Sequence, residues 1–252
     1  MPDLPTTAIT AYVLAGGRSS RMGRDKAMLP FGGTTLLAHA VTTARTVAHE
    51  VVLLGDRPDL QGADHAIPDL HPGCGPVGGM ETALRDLAGR PGDSPKAEWA
   101  CFLPVDMPFL PAGLYAALMR RWLDQATFGI RVAYPTVDGV PQPLISLLHS
   151  SVLPYLTAAV EISRFKVTSV LEGVAKGLGP PFGDGLHSGH IQLNTDSFSS
   201  SPSLAREQSA GLELSWRPSA QQLAARHLWF SNLNTPEEFA AGESFLRSFT
   251  RD

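Results

Sequence analysis

Short unbroken apolar runs alternate along this chain with longer stretches of helical period. Residues 9–14, 51–54 and 100–105 predict buried strands, with Pro104 near the end of the third. Between the first two, Leu36, Leu37, Ala40, Val41, Ala44 and Val47 recur at near-helical spacing, and Thr34 or Thr35 can cap that helix. A weaker strand is predicted at 66–67 and a helix at 80–87. A further helix opens at Pro111 and runs to about Trp122. Residues 71–79 are dense in Gly and Pro and predict a loop.

Strand and helix in alternation predict an α/β fold, a Rossmann-like open, mostly parallel sheet with helices on both faces. Further along, 130–134 and 143–148 predict a strand pair joined by the turn Val137-Asp138-Gly139. Helices are expected at 152–160 and 167–175, and a strand at 188–194. Residues 195–226 begin Ser-rich and carry Pro202 and Pro218, which predicts an irregular insertion. A strand is expected at 227–230. Thr235, Pro236 and Glu238 then read as N-cap, N1 and N3 of a final helix with a capping box. The reading is one domain over 8–250, with halves 8–125 and 126–250.

Composition narrows the class. The chain has 252 residues, 43% hydrophobic and 17% charged, enough apolar material for a sizeable core. A net charge of −4 argues against a broad nucleic-acid or membrane-surface footprint, so an anionic ligand must be gripped locally. Two cysteines, Cys74 and Cys101, form neither a metal spacing nor a disulfide framework, which predicts a reducing compartment. Met1 to Thr7 has no signal-peptide pattern, and no run approaches the ~20 apolar residues of a membrane span. A cytoplasmic protein is expected.

The candidate chemistry begins where the first strand ends. Gly16-Gly17 lets backbone approach a ligand, and Arg18, Arg21, Arg24 and Lys26 follow closely. The loop has neither the dinucleotide spacing nor a Gly-Lys-Ser/Thr. Backbone N–H groups of 16–18 can form an anion nest, with Arg21 and Lys26 reaching phosphates. The alternative is a tight turn with solvated cations. Asp106, just past a buried strand and between two prolines, can hold Mg2+ or bond its own backbone as a turn aspartate. Asp69 can be a site residue, although taken alone it reads more readily as an Asx-turn. The segment 75–79 can bring backbone to a base or ribose. Gly16-Gly17, Asp69 and Asp106 all follow strands, and open α/β sheets bind ligands at the carboxyl ends of their strands.

Leu14-Ala-Gly-Gly-Arg-Ser-Ser-Arg-Met-Gly-Arg-Asp-Lys26 resembles the signature of the molybdenum cofactor guanylyltransferases. Gly75-Pro-Val-Gly-Gly-Met80, Pro104-Val-Asp-Met-Pro-Phe109, Pro141-Gln-Pro-Leu-Ile-Ser-Leu147 and Asn232-Leu-Asn-Thr-Pro-Glu-Glu238 fit in the same order. The resemblance spans about 8–245, with 195–226 outside it. Leu54-Gly55 stands where the family often has an asparagine.

The resemblance implies transfer of GMP from GTP to the terminal phosphate of molybdopterin, with pyrophosphate released. It places Leu14, Ala15, Gly16, Gly17, Asp69 and Gly78 on the nucleotide. Lys26 and Arg21 fall on the phosphates, and Asp106 on Mg2+. Gln142, Asn232 and Asn234 fall on the acceptor side. The Gly16-Gly17 pair leans toward guanylyl over cytidylyl transfer. Expected partners are GTP, molybdopterin and molybdoenzyme maturation proteins, with the chain a monomer or weak oligomer. The alternatives are a cytidylyl- or sugar-phosphate nucleotidyltransferase, or a non-catalytic nucleotide-binding protein.

Overall fold

The structure is a computed structural model. It describes residues 9–15, 25–55, 62–90, 98–126, 129–177, 188–198 and 216–249, without the side chains of 188–190, 197 and 247–249. The first half contains β1 (Ile9–Leu14), the two-residue strands β2 (Pro30–Phe31) and β3 (Thr34–Thr35), α1 (Leu36–Ala44), β4 (Glu50–Leu54), β5 (His65–Ile67), α2 (Gly75–Gly89), β6 (Trp99–Pro104) and α3 (Ala112–Ala126). The second half contains β7 (Val132–Val137), β8 (Val140–Pro141), β9 (Ser146–His149), α4 (Leu153–Glu161), α5 (Val167–Gly177), β10 (Ser188–Leu193), α6 (Ala220–Ala224) and α7 (Pro236–Phe249).

One sheet runs through both halves in the order β10-β7-β9-β6-β1-β4-β5, with β8 paired to β7. β1 is parallel to β4 and β6, β4 to β5, and β10 to β7. β9 runs against both neighbours and β8 against β7. The remaining strands therefore end on one edge. The chain leaves β1 toward β4 and β5, then returns to its other side at β6. That reversal opens a crevice at the carboxyl ends of β1 and β6.

Alternation along the central strands sorts the core into two layers. Ala11, Val13, Val51, Leu53, Cys101 and Leu103 face α1 and α3. Tyr12, Val52, Leu54, Ala100 and Phe102 face α2, α4 and α5. Strands covered on both faces have no polar side to show, which is why they read as unbroken apolar runs. At the amino end of β1, the buried Tyr12 hydroxyl donates to Asp86 of α2 at 2.8 Å. Arg90 ties Asp86 to Thr10 and Glu50. These bonds pin the far end of α2 and fix where its first turn points.

Local signals explain most boundaries. Thr35 caps α1, accepting from the Ala38 N–H. Asp138 and Gly139 both have positive φ, 47° and 80°, the requirement of a two-residue hairpin turn between β7 and β8. The Asp138 carboxylate also accepts from Thr195 N and Oγ1. The capping box at Thr235 and Glu238 is present.

Two expectations are corrected. Residues 75–79 are the first turn of α2, not loop: Pro76 sits where a missing N–H costs nothing. Gly78 and Gly79 lie at a close approach, where an added Cβ at Gly78 would meet Cys74 Cβ at 2.8 Å and His71 O at 3.2 Å. Residues 226–228 are a 3-10 turn rather than the start of a strand. Trp229 is held there by a bond from its indole N–H to Gln222 O, 2.9 Å. Of the stretch 195–226, residues 199–215 lie outside the described residues. Its flanks form a 3-10 turn at Thr195–Phe198 and the capped helix α6. Trp216, Trp229 and Phe198 pack ring against ring, and Trp216 lies over Gly113 of α3.

Candidate active site

The shared carboxyl edge gathers residues from distant parts of the chain. β1 ends at Leu14, whose carbonyl accepts from Val105 N at 3.2 Å. That bond extends the β1–β6 pairing past its last ladder residue and sets the direction of the next residue, Asp106. After β1 the described chain resumes at Asp25, whose side chain accepts from Ala27 N and starts a 3-10 turn over Lys26–Met28. Ala27 is buried, and that anchors the turn beside the crevice. Lys26 Nζ donates to Asp106 Oδ2 at 2.7 Å and to Asn234 Oδ1 at 2.8 Å. The Lys26 and Asp106 side chains are 15% and 19% exposed, so the pair is mostly out of water but still reachable.

Asp106 has spare capacity. Its Oδ1 is buried and makes no hydrogen bond among the described residues. A carboxylate oxygen removed from water without a partner is costly, which favours a cation there. The residues present thus fit a single hard divalent ion. Among the described residues no group of three or more His, Cys, Asp or Glu could hold a metal alone. Any such ion would need other oxygen donors, as triphosphate and water supply.

Asp69 follows β5 by way of Pro68. Burial pushes its carboxyl above the ordinary range. A Cβ added at Gly79 would lie 3.4 Å from Leu14 Cδ2 and 3.7 Å from Asp69 Oδ1, so β1, β5 and α2 meet there. Leu70 N donates to Thr82 Oγ1, and Cys74 N to His71 O, which tie the loop after Asp69 to α2. Glu81, fully buried, accepts from Arg85 and Thr157, and its other oxygen stands 3.3 Å from His71 Nε2. Sequence reasoning missed Glu81. Its signal is a lone carboxylate on the packed face of an amphipathic helix.

The structure brings Leu14, Lys26, Asp69, Gly78 and Asp106 to one edge of the sheet, with Ala15 directly after Leu14. Gly16, Gly17, Arg18, Arg21 and Arg24 lie outside the described residues. The three acceptor-side expectations separate. Asn234 Oδ1 accepts from Lys26 Nζ. Asn232 has a buried Oδ1 without a hydrogen bond among the described residues. Gln142 makes main-chain bonds, donating from N to Pro135 O at 2.8 Å and accepting at its carbonyl from Ile145 N.

The site is an α/β crevice that holds a lysine and a carboxylate with one oxygen unbonded among the described residues. Residues 11–175 match the MobA-like NTP transferase domain, and the chain belongs to that family. It is 31% identical over 160 residues to the probable molybdenum cofactor guanylyltransferase of Carboxydothermus hydrogenoformans, covering 63% of this chain and 75% of that one. It is 29% identical over 240 residues to the molybdenum cofactor guanylyltransferase of Rhizobium meliloti, covering 94% and 91%. Its fold resembles the crystal structure of molybdopterin-guanine dinucleotide biosynthesis protein A from Archaeoglobus fulgidus, with a TM-score of 0.63. The match covers 95% of this chain and 99% of that one at 18% identity.

Proposed function

We propose that this chain transfers GMP from GTP to the terminal phosphate of molybdopterin. The observation that carries the reading is the Lys26–Asp106 pair at the carboxyl edge of β1 and β6. Membership of the MobA-like family and the names of its relatives supply the substrates. A phosphate oxygen of the acceptor attacks the α-phosphorus of GTP in line. The bond from the α-phosphorus to the bridging oxygen breaks, and pyrophosphate leaves with the electron pair. The acceptor oxygen is already anionic near neutral pH, so repulsion between anions is the barrier rather than proton removal.

Lys26 and Arg21 offset that repulsion by placing positive charge on the phosphates. Asp106 would hold Mg2+, which when bound neutralises charge on the triphosphate. Leu14, Ala15, Gly16, Gly17 and Gly78 would meet the nucleotide through backbone, with Asp69 beside it. Gln142 and Asn232 would lie on the acceptor side, in the half 126–250. The two thiols suit a reducing, cytoplasmic setting, with Cys101 buried. Among the described residues no helix is long and apolar enough to cross a membrane.

The test is incubation of the protein with molybdopterin, Mg2+ and GTP, CTP or ATP in turn, with the product read by mass. A guanine dinucleotide of molybdopterin is expected with GTP. A cytosine product would move the assignment to cytidylyl transfer, and free nucleoside monophosphate with no dinucleotide would move it to hydrolysis.

A further inference from the structure

We infer that Asn234 is a positioning residue for Lys26, holding its ammonium ready for the nucleotide phosphates; this rests on the nucleotide reading above. Asn234 lies beyond the matched family domain, 208 residues from Lys26 in the chain, yet its Oδ1 accepts from Lys26 Nζ at 2.8 Å. An ammonium carries donors only, so the amide must present its oxygen.

The backbone at Asn234 is fixed on both sides. Before it, Leu233 is buried and its N–H donates to Asp106 O at 2.9 Å. The same residue, Asp106, thus anchors the segment by its carbonyl and meets Lys26 by its carboxylate. After it, Glu238 Oε2 accepts from Asn234 N at 2.7 Å and from Thr235 N at 3.0 Å. Upstream, Trp229 is fully buried against Trp216 and Phe198. An exposed side chain on so constrained a backbone has little freedom in where it points.

The choice of an amide matters. A lysine side chain gives up rotamer entropy when it is fixed. Two acceptors fix Lys26 before any ligand arrives, which lowers the ordering cost of binding. Asp106 holds the ammonium but cancels its charge. Asn234 holds it as a neutral acceptor and leaves that charge to attract phosphate. The contact also separates two roles for Asn234. A residue that touches only the acceptor substrate would leave nucleotide binding alone, whereas one that positions Lys26 would alter it with no acceptor present.

The experiment is a double-mutant cycle on nucleotide affinity, measured calorimetrically with Mg2+ and without molybdopterin. The proteins are the parent, Asn234→Ala, Asn234→Leu, Lys26→Met and the Asn234→Ala/Lys26→Met double variant, each titrated with GTP, CTP and ATP. Both Asn234 variants keep the main-chain bonds, and Leu also keeps the side-chain size. Each is expected to weaken the best-bound nucleotide about tenfold, the scale of a hydrogen bond to a charged group. In the Lys26→Met background the Asn234 change is expected to cost less than about twofold, because the partner is gone. Parent-like affinity in both Asn234 variants, or additive losses in the cycle, overturns the positioning role and leaves the nucleotide reading intact. A parent protein that binds none of the three nucleotides overturns both.

Discussion

Lys26 and Asp106 stand 80 residues apart in the chain and meet at 2.7 Å across the ends of adjacent parallel strands. Lys26 opens the 3-10 turn at Lys26–Met28, which buried Ala27 anchors, and Asp106 follows Val105, whose N–H donates to Leu14 O. Each is the other's counter-ion in the free protein. Lys26 uses two of its three ammonium donors on Asp106 and Asn234, and Asp106 Oδ1 makes no hydrogen bond among the described residues. The pair is therefore neutral at rest.

Removal of either member should stop transfer without unfolding the chain. Lys26→Met and Asp106→Asn are expected to lower kcat/KM at least about 100-fold, the scale seen when one charge-stabilising donor is lost. In Asp106→Asn, Lys26 keeps Asn234 as an acceptor, so the melting temperature should stay within a few degrees of the parent. Steady-state rates and thermal unfolding on the same samples decide it. Parent-like turnover in either purified variant sinks the assignment.

The paired glycines of α2 should respond in opposite ways. Each costs about 1 kcal/mol of helix propensity relative to alanine. At Gly79 an added Cβ meets its nearest atoms at 3.4 Å and beyond, ordinary contact, so Gly79→Ala should hold or raise the melting temperature. At Gly78 the Cβ would press on Cys74 Cβ at 2.8 Å and on the His71 carbonyl at 3.2 Å. Backbone must then move, and Gly78→Ala should destabilise by roughly 1–3 kcal/mol. Thermal melts of the two variants test the contrast. A stable Gly78→Ala would refute the packing argument.

These glycines also mark where sequence reasoning reached its limit. Strands buried on both faces announce themselves as apolar runs, so the central sheet is legible from residues 9–14, 51–54 and 100–105. Thr35 and Thr235 are legible as caps because a side-chain oxygen at that place has one purpose. The Gly and Pro of 75–79 mislead, since the same residues serve a loop and the close-packed first turn of a helix. Only the position of the His71 carbonyl distinguishes the two. Lys26 is legible as a cation of the glycine-rich stretch and Asp106 as a carboxylate just past a strand, each on its own. Asn234 stands in a legible motif, but its partner depends on how the chain returns from Trp229 to Asp106, which no local pattern encodes. Trp229 reads as strand by propensity and becomes the centre of an aromatic cluster because its partners, Trp216 and Phe198, come from both sides of the 199–215 stretch.

Asp69 carries a desolvation cost in the fold. In the unfolded chain its carboxyl titrates near 3.8, and burial raises that value in the fold. Above the raised value the folded protein holds a charge in a partly dry place, which opposes folding. Below about pH 3.8 the carboxyl is protonated in both states and the opposition is gone. Asp69→Asn should therefore raise the melting temperature at pH 7, with the gain fading as pH falls through the raised value toward 3.8. The same variant should bind GTP more weakly. Melts across pH 3–7 with and without GTP test both halves; no gain at pH 7, or a gain undiminished at pH 3, contradicts the desolvation argument.

Trp216, in a segment that continues to Asn234, docks on Gly113 of α3. A Cβ at position 113 would fall 2.3 Å from the Trp216 ring, which is bulky and cannot yield as a flexible chain end would. Gly113→Ala must therefore displace the indole. Trp216 packs on Trp229 at a ring separation of 5.7 Å, and Trp229 precedes the segment that brings Asn234 to Lys26. Local helix propensity favours the alanine by about 1 kcal/mol, so an isolated α3 would gain from it. The expected result is instead a loss of stability of roughly 1–3 kcal/mol with a shift in tryptophan fluorescence. GTP affinity should fall alongside, although no atom of Gly113 meets Lys26. Trp216→Ala in the Gly113→Ala background should remove the collision and recover part of the nucleotide affinity. If Gly113→Ala lowers stability but leaves GTP affinity unchanged, the aromatic cluster supports the fold without reaching the site.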